Sequence, residues 1–106
     1  MTTVLRTLID ARKLIANPDD WWDGQYNVEL GVIKHCMITA INNVGRGKDE
    51  ICNPAMASIK RIIGDDIGIS YFNDHHTHAE VLAIFDKAIE NETDLSIFQP
   101  RELVNG

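Results

Sequence analysis

Thr77-His78-Ala79-Glu80-Val81-Leu82-Ala83-Ile84-Phe85-Asp86-Lys87-Ala88-Ile89 is the stretch that decides the class of fold. A threonine followed three residues later by glutamate, just ahead of an apolar run, is a capping box: each side chain takes a backbone N–H that the first helical turn leaves without a partner. Behind it Val81, Leu82, Ile84, Phe85, Ala88 and Ile89 share one face at the helical period, while Glu80, Asp86, Lys87 and Glu90 share the other. One such helix is not stable in water by itself, so the chain must supply further apolar stripes to cover it.

It supplies three. Residues 3–16 place Val4, Leu5, Leu8, Ile9, Ala11 and Ile15 on one side of a helix that stops at Asn17-Pro18. From about Glu29 the period returns, with Leu30, Ile33, Cys36, Met37, Ala40, Ile41 and Val44 in one arc, and Asn43-Val44-Gly45-Arg46-Gly47 ends it. A short third helix has Asn53 as cap and Pro54 in its first position, then Ala55, Met56, Ile59, Ile62 and Ile63 on one face, with Gly64 as terminator. In residues 65–76 the rhythm changes: Ile67, Ile69 and Tyr71 alternate with Gly68, Ser70 and Phe72, which predicts an extended stretch entering an Asn73-Asp74 turn. Beyond Asn91, Leu95, Ile97 and Phe98 precede Pro100, so residues from about 93 to 106 read as a docked or flexible tail. The predicted fold is mostly α: residues 1–106 as a single domain, a compact bundle of about four helices with one short extended segment before the last.

With 106 residues, 44% of them hydrophobic, the chain has room for one core and needs no metal or disulfide to hold it. Sixteen acids against ten Lys and Arg give a net charge of −6, which disfavours direct binding to nucleic acid or to an anionic membrane. The surplus is uneven. Residues 1–53 carry six cations and seven acids, and residues 54–106 carry four cations and nine acids. No export signal or apolar run of membrane-spanning length is visible, and the two cysteines are widely separated, so a cytoplasmic protein with reduced thiols is expected.

The densest set of ligand-type side chains is Asp74-His75-His76-Thr77-His78-Ala79-Glu80. Three imidazoles and two carboxylates suit zinc or iron. With Thr77 as cap, however, His75 and His76 precede the helix, and His78 and Glu80 lie two positions apart on different sides of it. His75, His76 and His78 are therefore weak metal candidates, and no cofactor is expected. His78-Ala79-Glu80 has the His-x-Glu form of zinc deaminases but lacks the downstream Pro-Cys-x-x-Cys. Cys36, with His35 or His78 as base, reads as core rather than nucleophile. Trp21 and Trp22, being adjacent, point to different sides, so one can plug the bundle while the other anchors a partner. Asn73 and Asp74 read most simply as a turn.

Leu14-Ile15 followed by Pro18, Trp21-x-x-Gly24, Cys36-x-x-x-Ala40-Ile41, and Phe72-Asn73-Asp74 leading into Thr77, Glu80-Val81-Leu82 and Ala88-Ile89 together resemble a family of small uncharacterised helical domains of bacteria and phages. The resemblance covers most of the chain and its last block is the most specific. It implies a mostly α single domain and brings no activity, cofactor or catalytic residue. A site shared by such a family would involve Trp21, Asn73 and Asp74, polar or aromatic positions that a simple core does not demand.

Three functions follow as expectations. The first is a small acidic protein-interaction module, bacterial or phage-encoded, acting in the cytoplasm and in that of the host if it is phage-encoded, which is more binding protein than enzyme. It would use Trp21, Trp22, Asn73, Asp74 and His78 as its binding residues, and a homodimer is compatible with it. The second is a small metal-dependent hydrolase built on Asp74, His75, His76 and His78. The third is a nucleic-acid mimic that blocks a defence or regulatory protein with the acid pairs Asp19-Asp20, Asp49-Glu50 and Asp65-Asp66.

Overall fold

The computed structural model describes residues 2–23 and 34–105, with side chains as far as Asp94. Its order is α1 (Thr3–Leu14), a 3-10 turn (Pro18–Asp20), α2 (Met37–Val44), α3 (Asp49–Ile63), α4 (Ile69–His75) and α5 (His78–Asn105). Among the described residues the extended pairing is one parallel bridge, between Trp21 and His35.

Each predicted stripe that lies in the described residues goes inward. Leu5 of α1 is buried, and Leu8, Ala11 and Ile15 from α1 and its cap meet Met37, Ala40 and Ile41 of α2, Cys52, Ala55 and Ile59 of α3, and Val81, Phe85 and Ala88 of α5. α1 lies at the centre, against α2, α3 and α5, while α4 packs on α2 and α3. Thr2 caps α1 by accepting the Leu5 N–H at 3.1 Å. At the surface, Arg12 of α1 forks onto Asp86 of α5, and Arg61 of α3 reaches Glu92 at 3.6 Å. Exposed pairs of this kind are worth roughly 0.2–1 kcal/mol each, so the apolar stripes hold the helices together and the ion pairs trim their alignment.

The structure departs from the sequence reading in three places. Residues 65–76 are not extended: Ile69–His75 form α4, so the bundle has five helices among the described residues rather than about four with a strand. Ile69 and Phe72, three apart, and Asn73, four apart, face the core, and this helical spacing overrides the local alternation of Ile67, Ile69 and Tyr71. Lys60 makes the turn before α4 possible by donating from Nζ to the carbonyls of Asp65 (3.1 Å) and Ile67 (2.6 Å).

α3 starts at Asp49, a full turn before the expected Asn53 cap. Asp49 and Glu50 suit the positive end of a helix, and the added turn buries Cys52. Pro54 is then inside the helix on its exposed side, where the carbonyl that loses its donor faces water. In the second predicted helix, residues 24–33 lie outside the described ones, and the helix proper begins at Met37. Cys36 is its cap rather than part of its stripe, accepting from Thr39 N at 3.5 Å while Thr39 Oγ1 accepts from Cys36 N at 2.8 Å. The backbone of α5 runs on to Asn105.

The α2–α3 turn shows how tight the core is. Gly45 ends α2, and a Cβ there would lie 2.5 Å from Cys52 Sγ and 3.2 Å from the Ile41 carbonyl. Cys52 is itself fixed, its thiol directed at that carbonyl at 3.7 Å. Gly45→Ala is expected to lower stability by about 1–3 kcal/mol in urea unfolding, the usual cost of forcing a methyl into a filled core. Gly47→Ala meets no neighbour but must adopt φ 68°, so its smaller loss comes from backbone strain alone.

Candidate functional site

Asn73 is the least expected residue of the molecule. It is a polar side chain with 0% exposure, and its amide is used on both sides. Oδ1 accepts from Trp21 Nε1 at 2.8 Å and from the Met37 backbone N–H at 3.1 Å. Nδ2 donates to the Trp22 carbonyl at 2.9 Å and to Asp74 Oδ1 at 3.2 Å. One amide therefore joins α4, the first turn of α2 and the Trp21-Trp22 segment. Met37 N–H is among the donors that the start of α2 would leave orphaned, which is why the core accepts a polar group here.

The same segment is held from a second side by backbone. Trp22 N–H donates to the His35 carbonyl and His35 N–H to the Asp20 carbonyl, both at 2.9 Å. The Trp21 ring lies 5.4 Å from that of His78. His78 Nε2 sits 2.7 Å from the Ile15 carbonyl. A carbonyl only accepts, so Nε2 carries the proton and His78 ties the start of α5 to the end of α1. Trp21, Asn73 and Asp74 are thus joined by hydrogen bonds internal to the fold, and His78 lies beside them through its ring contact with Trp21. Trp22 is half-buried and Asp74 is exposed.

The other two imidazoles also act locally. His75 Nδ1 lies 2.9 Å from the Tyr71 carbonyl and His76 Nδ1 lies 2.8 Å from the Phe72 carbonyl. Each donates back one turn: His76 satisfies the Phe72 carbonyl, one of the four that the end of α4 leaves without an intrahelical donor, and His75 adds a side-chain bond to the Tyr71 carbonyl. The rings stack as they do so, His75 on Tyr71 at 3.9 Å and His76 on Phe72 at 3.7 Å. Among the described residues no three of His, Cys, Asp and Glu are grouped so that they could hold a metal ion. Cys36, 8% exposed, has its thiol turned to Thr39.

A model described as a family of unknown function (DUF6197) matches residues 1–91. The chain belongs to that family. DUF6197 spans α1 to α4 and α5 as far as Asn91, and so includes every partner in the Asn73 network. This agrees with the family resemblance drawn from the sequence. No curated protein and no solved structure matches the DUF6197 chain significantly. Among the described residues, no helix is long and apolar enough to cross a membrane.

The capping box of α5 is as the sequence predicts. Thr77 N–H donates to Glu80 Oε1 at 2.9 Å, and Glu80 N–H donates to Thr77 Oγ1 at 3.2 Å. The bond from the Thr77 backbone, and then that with its side chain, holds the Glu80 carboxyl below the usual glutamate range. A carboxylate whose folded pKa is depressed stabilises the fold above its unfolded pKa, about 4.3, and loses that contribution as pH falls through the folded value. Glu80→Gln should therefore flatten the decline of melting temperature below about pH 4.5 while hardly altering its course from pH 6 to 8.

Sequence reasoning missed Tyr71. As a strand, residues 67–71 would turn Ile67, Ile69 and Tyr71 to one side. In α4, Ile69 goes inward, while Tyr71 is 60% exposed and Ile67, just before the helix, 37%. The helical spacing of Ile69, Phe72, Asn73 and His76 was the signal available.

Proposed function

We propose that the domain is a small acidic protein-interaction module without catalytic activity of its own. The observation that carries this reading is the outer face of α4, where Tyr71 stands in water beside the exposed Asp74. A tyrosine ring is a common anchor in protein interfaces. Trp21, Asn73 and His78 support the reading indirectly: their polar atoms are spent on holding the scaffold that presents this surface. Self-association through the same face would set Asp74 and its neighbours against their own copies, so a different, more basic partner suits it better.

Chemical cross-linking in extract of the source cell, followed by mass spectrometry, tests the proposal. The expected result is a stoichiometric protein cross-linked to the second half of the chain and lost in a Tyr71→Ala variant of unchanged melting temperature. Failure to recover any such protein, or phosphoester hydrolysis with added zinc or manganese that His75→Ala abolishes, would overturn it.

A further inference from the structure

We infer that the outer face of α4 docks an arginine-bearing segment of a basic partner protein, with a guanidinium laid on the Tyr71 ring and paired with Asp74. This rests on the interaction-module reading and names the chemistry of its partner. Tyr71 and Ile67 are the large apolar side chains that stay exposed among the described residues. They lie four apart, and Ser70, Asp74 and His75 continue the same outward face. The platform is ordered in advance: His75 stacks on Tyr71 with 18° between the ring planes, and its Nδ1 is anchored on the Tyr71 carbonyl. A ring fixed this way loses little freedom on binding.

Charge selects the occupant. Asp65, Asp66 and Asp74 are all exposed and none is in an ion pair with another described residue, whereas Asp86, Glu90 and Glu92 have cationic partners. The nearby ammonium of Lys60 is directed at the carbonyl oxygens of Asp65 and Ile67. Phosphate-bearing ligands are repelled from such a face, as is a second copy of the chain. Arginine fits better than lysine, because its planar fork can pair with a carboxylate on one edge while its face lies on an aromatic ring.

The probe is a nonapeptide of repeated Gly-Ser-Arg, compared with its lysine and citrulline counterparts by 15N-resolved NMR titration of the full chain at low salt. The arginine peptide should shift the amides of residues 67–75 and the Tyr71 ring, bind more tightly than the lysine peptide, and weaken as salt is added. The neutral citrulline peptide should not bind. Tyr71→Ala and Asp74→Asn should each weaken binding about tenfold, and Tyr71→Phe should retain it; these exposed changes leave the fold intact, which melting temperature checks. Equal binding of arginine and citrulline, shifts centred on the Trp22 segment, or concentration-dependent shifts at α4 without peptide would overturn the inference. If α4 stays silent to the peptides while a cellular partner is cross-linked and lost in Tyr71→Ala, the arginine chemistry fails and the interaction module survives. If the peptide binds as described but no cellular partner is found, the docking chemistry stands and the broader reading fails.

Discussion

Asn73→Ala is expected to lower the unfolding free energy by about 3–5 kcal/mol, much of what a domain of this size has. The substitution takes from Trp21 Nε1 and the Met37 N–H the acceptor they now share, at a side chain that has no exposure to water, and removes the donor that Asn73 gives the Trp22 carbonyl. Each orphaned N–H costs roughly 1–3 kcal/mol, and because both belong to one network the costs do not simply add. Urea unfolding followed by far-UV circular dichroism measures the loss. Asn73→Asp separates hydrogen bonding from shape. It keeps an acceptor for Trp21 and Met37 but replaces the donor to the Trp22 carbonyl with a buried carboxylate oxygen, so at neutral pH it should be nearly as damaging. Its deficit relative to the wild type should shrink as pH falls and the carboxyl gains a proton to donate. A deficit independent of pH would mean that the fold has relaxed around the new side chain.

The second large effect lies in the apolar interior. Phe85 is the largest side chain fully removed from solvent, on the face by which α5 lies against α1 and α3. Phe85→Ala should cost about 3–5 kcal/mol, through lost burial plus the void it leaves, and Phe85→Leu substantially less. Chemical denaturation midpoints give both values. Tyr71→Ala, removing a ring of similar size from the outer face of α4, should stay within about 0.5 kcal/mol of the wild type. A comparable loss at Tyr71 and Phe85 would contradict the assignment of one ring to the surface and the other to the core.

Much of this scaffold is legible without coordinates. Thr77 and Glu80 announce the start of α5, Pro18 and Gly64 stop their helices close to where they should, and the stripes of α1 and α5 are the ones buried. These signals are local: a cap, a breaker or a period is written within a few residues of where it acts. The misread elements were settled at a distance. α4 is seven residues long, too short for its period to outweigh a chance alternation, and it is helical because Phe72 and Asn73 find partners on other elements. The start of α3 was hidden by Asn53-Pro54, a local signal for a helix start that the burial of Cys52 overrules. The candidate site follows the same rule. Trp21, Trp22, Asn73, Asp74 and His78 could be singled out by residue type, but only the geometry assigns Trp21, Asn73 and His78 hydrogen bonds within the fold, and Tyr71 was hidden by the mistaken strand.

The Asn73 amide also bears on how the chain reaches its native state. Its partners lie 36, 51 and 52 positions upstream, so joining them closes long loops whose entropic cost precedes any reward. The helices, built from near neighbours, are expected to form ahead of this junction, with the kinetic barrier crossed while it is still open. Weakening it should then accelerate escape from the native state and leave the rate of arrival almost unaltered, giving Asn73 a φ-value near zero despite its large equilibrium effect.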